Sequence, residues 1–416
     1  MTTTSARKRA FAALRYRNFR LYVVSQVISF SGTWMQSIAM SWLVLELTGS
    51  GTALGTVLAM QFVPMLLLGP TGGMIADRVD VRRLLITTQS AAAVLALVLG
   101  VLTISGTVEL WMVYVLAAGL GSVTALDNPA RQTFVLEMVG RDDLANAVTL
   151  QSVVVNTARA LGPAIGGVLI VTLGVGQCFI VNAVSYIAVI VALCSMRPDE
   201  LVPSPRVPRA SGQLRAGFSH VRYEPTLRTV LAMALVVGMF TMEFNVSLPL
   251  LADRTFHSGS TGLAIMTALM GVGGCVGGLA IAARGSSTPR RLIVMAGAFG
   301  VSMTVLAIAP TALFAYLVIP IVGAAMIGTL TSTNVLLQLN ARPEMRGRVM
   351  ALFSVAVIGS TPIGGPILGC VGDHFGGRAS IIVGAVAAML AAVYGARRLP
   401  LEVHDVAAPD LRAAVS

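Results

Sequence analysis

Twelve long apolar runs divide this sequence of 416 residues, and they constrain its fold more than any other feature. A helix needs about 20 mostly apolar residues to cross a bilayer, and each run is close to that length or longer. The runs, numbered below as spans one to twelve, are 20–47, 53–75, 84–104, 110–129, 145–172, 177–196, 227–252, 261–283, 291–309, 311–336, 347–371 and 378–396. The sequence therefore predicts an all-α membrane protein with twelve transmembrane helices.

The composition agrees with a chain that lies mostly in lipid. Charged residues make up 11% of the sequence and hydrophobic residues 56%, whereas a soluble domain carries about 25% charged residues. This balance excludes an ordinary soluble enzyme and a disordered chain. The four cysteines lie in or beside apolar runs and have no metal-binding spacing, so we expect neither a disulfide nor a metal site.

The positive charges predict which side of the membrane each loop occupies. All of the 29 Lys and Arg residues except Arg159, Arg254 and Arg378 fall at the chain ends, in alternate loops or within the first two residues of a span that follows such a segment. Loops rich in Lys and Arg stay in the cytoplasm. We therefore expect a multi-pass protein of the bacterial inner (plasma) membrane with both termini cytoplasmic and no cleaved signal peptide. Topology and anionic lipid then explain the net charge of +11, and nucleic-acid binding is not expected.

A polar break rich in arginine and proline separates two halves of similar size. The predicted segments are an N-terminal six-helix bundle over 1–196, a cytoplasmic linker over 197–226, a C-terminal six-helix bundle over 227–400 and a cytoplasmic tail over 401–416. The halves also repeat a motif, because Gly162-Pro163 in span five matches Gly365-Pro366 in span eleven at an offset near half the chain length. Two pseudo-symmetric bundles place a substrate site between them, near the middle of the membrane.

Two motifs carry glycine and charge in a specific order. The segment after span two is Gly73-Met74-Ile75-Ala76-Asp77-Arg78-Val79-Asp80-Val81-Arg82-Arg83. Span five contains Ala158-Arg159-Ala160-Leu161-Gly162-Pro163-Ala164-Ile165-Gly166-Gly167. Glycines let helices approach closely and proline kinks a helix, which suits a span that rocks against its neighbour. Plain close packing is the alternative explanation for span five, and a charge cluster that only fixes topology is the alternative for the first motif.

These motifs resemble the bacterial secretion-effector branch of the major facilitator superfamily, which includes the enterobactin exporter, macrolide efflux proteins and drug pumps. The segments Leu14-Arg15-Tyr16-Arg17-Asn18-Phe19-Arg20 and Arg346-Gly347-Arg348-Val349-Met350 are similar to that branch as well. The resemblance covers nearly the whole chain, and it implies the major facilitator fold and proton-driven export.

The resemblance also assigns roles to the two motifs. It implies that Asp77 accepts hydrogen bonds from the N-terminus of span eleven and so latches the halves on the cytoplasmic side. The residues of this expected conformational latch are Gly73, Asp77, Arg78 and Arg82. It further implies that the span-five segment is the motif of drug–proton antiporters, whose residues here are Gly162, Pro163, Gly166 and Gly167. Asp80 departs from the first pattern, which has glycine at that position.

Charged residues inside the spans are candidates for proton coupling, because a charge in lipid is costly unless it is paired or wetted. We place Glu243 near the middle of span seven and Arg159 near the middle of span five. A carboxyl group shielded from water takes up a proton more readily, so we expect Glu243 to carry the proton with help from Arg159. Asp127, at the inner end of the predicted span four, is a gate residue with Arg131 or a solvated group. Permanently paired, structural roles are the alternatives for Glu243 and Arg159.

Polar and aromatic side chains in the spans predict the substrate cavity. The residues expected to line it are Gln36, Trp34, Asn156, Asn245 and Phe62. No nucleotide-binding loop, nucleophile elbow or metal-ligand cluster occurs in the sequence, so we expect no enzyme activity and no cofactor. The expected partners are a small-molecule substrate, protons and membrane lipid, and the expected state is a monomer.

The leading hypothesis is a secondary active exporter of small amphipathic molecules, such as drugs or siderophore-like compounds, that works by proton antiport. One alternative is an uptake carrier of the same fold. Another, from a different class, is a non-transporting membrane receptor or assembly protein, which would have no need of Glu243 or Arg159 inside the membrane.

Overall fold

The computed structural model describes residues 12–76, 78–202, 213–283 and 288–399. The first half of the chain forms six long helices that correspond to spans one to six. These are Arg17–Thr48, Gly51–Ala76, Val81–Ile104, Leu110–Val139, Leu144–Thr172 and Val175–Cys194. Short 3₁₀ turns precede and follow them at Ala12–Arg15 and Pro198–Glu200.

The second half repeats this arrangement, with breaks in two of its six spans. Span seven consists of Pro225–Thr241, Phe244–Leu250 and a π turn over Leu251–Thr255. Span eleven consists of Arg346–Val357 and Thr361–Phe375, after a 3₁₀ turn over Pro343–Met345. Spans eight, nine, ten and twelve are Gly259–Ala283, Pro289–Ala307, Ala312–Asn340 and Gly377–Arg398.

Eleven of these spans, within the described residues, are long and apolar enough to cross a membrane. Span one, with 32 residues, is longer than most but less apolar. Its buried polar side chains, which include Ser25, Gln26 and Gln36, pack inside the protein and lower its hydropathy. The prediction of an all-α membrane protein with twelve transmembrane helices in two six-helix bundles is therefore confirmed.

The predicted end of span four was wrong. The helix continues through Pro129 to Val139 and has 30 residues, which corresponds to about 45 Å. A transmembrane helix tolerates an internal proline because neighbouring helices satisfy the freed backbone groups. As a result, Asp127 lies inside the helix and away from its end.

The linker also contains more structure than a plain polar break. A helix runs over Gln213–Tyr223. It packs against the first segment of span eleven, Arg346–Val357, and against the start of span seven. Residues 203–212 of the predicted linker and the predicted tail lie outside the described residues.

The two bundles meet along two helix pairs, spans two and eleven and spans five and eight. We call the end of the molecule that carries the connection between spans one and two the distal end. Near that end, a methyl group added to Gly365 of span eleven would lie 3.2 Å from the carbonyl oxygen of Gly55 in span two. A methyl group added to Gly167 of span five would overlap the Cβ atom of Ala264 in span eight. Glycines at these crossings allow the backbones to touch, so the halves are closed against each other distally.

Candidate functional site

Two adjoining cavities lie between the bundles, behind the closed distal end. Their volumes are about 190 and 180 Å³, and Trp34, Ser41 and Asn245 line both of them. Together they reach the size range of small-molecule sites, about 300–1,000 Å³. Spans one, five, seven, eight and ten contribute to the first cavity, so both halves of the chain shape it. This is the position that the repeat predicts for a substrate site.

Arg159 of span five lies in the wall of the first cavity. The central carbon of its guanidinium group is 4.9 Å from the centre of the Trp34 ring, a cation–π contact. Its Nε atom is buried and has no hydrogen-bond partner among the described residues. Cys275 of span eight lines the same cavity.

The structure brings most of the predicted cavity residues together. Phe62 and Gln36 line the second cavity, and Gln36 accepts a hydrogen bond of 2.5 Å from the Asn182 side chain. Asn245 accepts a hydrogen bond of 3.5 Å from Ser37. That bond joins span seven to span one across the two halves. The side chain of Asn156 lies outside the described residues.

The glycines of the span-five motif hold that helix against span one. A methyl group added to Gly162 would lie 2.6 Å from the carbonyl oxygen of Ser31, and one added to Gly166 would lie 3.1 Å from the Met35 side chain. Pro163 lies inside the helix and is buried. The motif therefore sets how closely span five, and with it Arg159, approaches span one.

Glu243 lies at the break in span seven, between Thr241 and Phe244. The residue is 3% exposed. Its Oε1 atom has no hydrogen-bond partner among the described residues, and the Thr361 side chain is a polar neighbour of the carboxyl. Thr361 begins the second segment of span eleven, so the breaks in the two spans face each other at this carboxyl.

The structure does not bring Glu243 into the cavity that contains Arg159. The neighbours Met242, Phe244 and Asn245 line that cavity, whereas the carboxyl of Glu243 packs towards span eleven inside the second bundle. No ion pair joins Glu243 and Arg159 in the described part of the chain. The Glu243 carboxyl and the Arg159 guanidinium therefore lie at separate places in the protein.

Asp127 is buried, with 6% of its surface exposed, so the alternative of a solvated group was wrong. It forms an ion pair with Arg131, one turn further along span four. Thr88 and Gln89 of span three donate hydrogen bonds of 2.7 and 2.8 Å to the same carboxyl oxygen. Arg131 in turn donates to Gln26 of span one. This network ties three spans of the first bundle together.

The predicted latch can be followed only in part. Asp77 lies outside the described residues, and Gly73 lies within span two. Arg78 is exposed. Arg82 donates hydrogen bonds of 2.7 and 3.0 Å to the carbonyl oxygens of Leu193 and Cys194, at the C-terminus of span six, where a cation is favoured.

Asp80, which departs from the family pattern, has a local role. Its side chain accepts a hydrogen bond of 2.8 Å from the backbone N–H of Arg83 and so caps the N-terminus of span three. An aspartate in place of glycine thus starts the next helix.

A carboxylate that the sequence patterns did not indicate joins the two halves at the distal end. Asp373, near the end of span eleven, accepts hydrogen bonds of 2.6 and 2.8 Å from the backbone N–H groups of Gly51 and Thr52 at the start of span two. The hydroxyl groups of Ser50 and Thr52 donate to it at 2.8 and 2.7 Å. Arg254, at the end of span seven, forms an ion pair with it at 2.9 Å.

One sequence signal could have located the receiving half of this contact. Thr48-Gly49-Ser50-Gly51-Thr52 has the composition of a turn, but serine and threonine at the start of a helix are also capping residues. Nothing in the linear sequence connects this segment to Asp373, because the two are joined only when the bundles pack.

Comparisons with known proteins agree with the fold. The family model described as a transmembrane secretion effector matches residues 8–414. The chain is 25% identical to the staphyloferrin A transporter of Staphylococcus aureus, with 86% of this chain and 90% of that protein covered. It is 29% identical to the multidrug efflux pump Tap of Mycolicibacterium fortuitum, with 83% and 87% covered.

It is also 24% identical to the enterobactin exporter EntS of Shigella boydii, with 85% of each chain covered. Among solved structures, the nucleoside transporter NupG aligns with a TM-score of 0.71 at 12% identity, covering 91% of this chain and 98% of that one. A D-xylose–proton symporter aligns with a TM-score of 0.68 at 15% identity, covering 91% and 98%. These structural likenesses concern the fold alone. The chain belongs to the transmembrane secretion effector family and is a multi-pass transporter of the major facilitator superfamily, not an enzyme.

Proposed function

We propose that this protein is a secondary active exporter of small amphipathic molecules, such as drugs or siderophore-like compounds, and that it works by proton antiport. The observation that carries the proposal is a cavity between two bundles that is sealed at one end by helix-to-helix glycine contacts. A cavity closed at one end is one state of an alternating-access cycle. The relatives named as exporters of siderophores and drugs support the direction of transport.

The proposed transport site is the pair of adjoining cavities. Their walls are mostly apolar, and Trp34, Phe62, Gln36 and Asn245 supply aromatic and polar contacts. Such a lining suits a molecule with a large apolar surface and a few polar groups. We assign Asn156 to the same site from its place one turn before Arg159.

Proton coupling is assigned to Glu243, with Arg159 and Asp127 as further participants. Glu243 is buried at a helix break and has no cationic partner in the described part of the chain, which is the environment that a carboxyl needs to bind and release a proton. Breaks in transmembrane helices are where transporters place ion sites. Asp127 is already held by Arg131, so we rank Glu243 first.

Gating is assigned to the two ends of the pair formed by spans two and eleven. We propose that Gly73, Asp77, Arg78 and Arg82 form the cytoplasmic latch, and that Gly162, Pro163, Gly166 and Gly167 allow span five to rock. The orientation that follows from the positive charges makes the distal end extracellular. We further propose that the protein is a monomer of the bacterial inner membrane with both termini in the cytoplasm. Its two bundles are separated by the linker over 197–226, and a cytoplasmic tail covers residues 401–416.

Transport into inverted membrane vesicles tests this function. Vesicles that contain the protein, and matched vesicles that lack it, receive a panel of drugs and siderophores with and without an imposed pH gradient. We expect accumulation of at least one compound class only when both the protein and the gradient are present. Accumulation that ignores the gradient would contradict proton antiport. Efflux from loaded vesicles in place of accumulation would favour an uptake carrier.

Orientation is tested separately by labelling single cysteines with a membrane-impermeant reagent. Thr107→Cys lies in the connection between spans three and four, and Ser219→Cys lies in the exposed part of the linker helix. Only Thr107→Cys should react in intact cells. Reaction of Ser219→Cys in intact cells would show that the topology is opposite to the one proposed.

A further inference from the structure

The guanidinium of Arg159 is the one charged group that lines either cavity in the described part of the chain. Four acidic residues form ion pairs with arginines other than Arg159: Asp127, Asp143, Glu200 and Asp373. Glu243 is directed into the second bundle. Among the residues that the structure describes, Arg159 therefore stands in the proposed transport site with no acidic residue to balance its charge.

An unbalanced cation inside a membrane protein is costly, and such groups mark substrate or ion pathways. The Trp34 ring covers the guanidinium at 4.9 Å, and a cation–π contact offsets only part of the lost hydration. The buried Nε atom has no partner among the described residues. A hydrogen-bond donor is thus left over inside the site.

The chemistry of the donor set selects the ligand. A guanidinium group presents planar N–H donors that fit a carboxylate, sulfonate or phosphate oxygen pair, and charge-assisted bonds of this kind are about twice as strong as neutral ones. The rest of the first cavity is mostly apolar, with side chains such as Met242, Phe244 and Met326. Arg159 would repel an amphipathic cation, and the described lining contains no carboxylate to bind one.

We propose that Arg159 is the recognition site for an anionic group, so that the cavity selects amphipathic organic anions. This inference rests on the proposed exporter function and specifies its substrate class. The anionic oxygens bind the edge of the guanidinium, its face stays on Trp34, and the apolar body of the ligand occupies the methionine- and phenylalanine-lined space.

Binding to the purified protein in an uncharged detergent tests the inference without any transport step. The probes are three naphthalene compounds of matched size: naphthalenesulfonate, naphthylmethylammonium and neutral naphthalenemethanol. Calorimetric titration should show that the wild-type protein binds the sulfonate at least about tenfold more tightly than the ammonium, the effect of one charge-assisted hydrogen bond.

Variants then assign the preference to one side chain. Arg159→Gln should remove the preference for the sulfonate and leave naphthalenemethanol binding within about threefold of wild type, whereas Arg159→Lys should retain part of the preference because it keeps the charge. Arg228→Gln, which removes an exposed arginine, is the matched control and should bind like wild type. Thermal unfolding of each variant checks that it is folded.

Three results would overturn the inference. They are equal binding of the sulfonate and the ammonium by wild type, binding of neither, and an equal loss of all three probes in Arg159→Gln. Each of these results leaves the proposed export function standing if the vesicle experiment shows gradient-driven accumulation. Conversely, anion-selective binding without gradient-driven transport would contradict the exporter proposal and leave the inference about Arg159 standing.

Discussion

The carboxylate of Asp373 caps the first residue of span two, Gly51, accepting a hydrogen bond of 2.6 Å from its backbone N–H. A carboxylate at a helix N-terminus satisfies free N–H groups and interacts favourably with the helix dipole. The contact runs from the end of span eleven to the start of span two. The latch proposed for Asp77 would run from the end of span two to the start of span eleven. The same two helices would then hold each other at opposite ends in opposite states of the cycle.

Asp373→Asn should shift the protein towards a state that is open at the distal end. Asparagine loses the ion pair with Arg254 and the charge-assisted hydrogen bonds, which we expect to cost about 1–3 kcal/mol, or roughly a 5- to 150-fold change in the equilibrium. The measurement is the rate at which an impermeant maleimide, added on the distal side, labels Ser41→Cys in a protein whose natural cysteines are replaced.

Asp253→Asn is the matched control, because Asp253 lies in the same π turn as Arg254 and outside the Asp373 network. It should label at the wild-type rate. Identical labelling of Asp373→Asn, Asp253→Asn and wild type would show that the network does not hold the distal end closed.

Gly55→Leu should prevent distal closure. Gly55 packs against the backbone of Gly365 in span eleven, and overpacking a tight contact costs about 1–3 kcal/mol. Substrate efflux should therefore fall by about tenfold or more. Gly69→Leu, in the same helix, is the control, since a Cβ atom added at Gly69 meets nothing within 4 Å. Equal activity of the two variants would contradict the closure that we assign to this crossing.

The ion pair of Asp127 and Arg131 should stabilise the first bundle cooperatively. Asp127→Asn or Arg131→Gln alone leaves one buried charge unbalanced, a loss of about 3–5 kcal/mol. The double variant should lose less than the two single losses combined. Thermal unfolding in detergent gives the order of stabilities. Strictly additive losses would mean that the two side chains do not act as a pair.

The sequence predicted the twelve spans well because a transmembrane helix carries its own signal, a long apolar run. It did not predict the breaks in spans seven and eleven. Glu243 and Thr361 are neighbours at these breaks. Hydropathy does not reveal a local loss of helical hydrogen bonds when the segments on both sides of it are apolar. The sequence also placed the end of span four at residue 129, whereas the helix continues through Pro129 to Val139.

More of the residues at the two cavities than of those at the distal contact stand out in the sequence. Trp34, Phe62 and Asn245 are aromatic or polar residues inside apolar spans, and that contrast with their neighbours distinguishes them in the sequence itself. Asp373 and Arg254 lie near span ends, where charges are common and carry no special signal. Their importance comes from contacts over more than 100 positions of sequence, and only the packing of the bundles creates those.

The most direct test of the account follows protons and substrate together in proteoliposomes. An imposed substrate gradient should drive protons in the opposite direction through the wild-type protein, reported by a pH-sensitive dye trapped inside. Glu243→Gln imitates the protonated acid, so it should still move substrate down its gradient but move no protons with it. If Glu243→Gln moves both at the wild-type ratio, the proton does not travel by Glu243 and the proposed coupling is wrong.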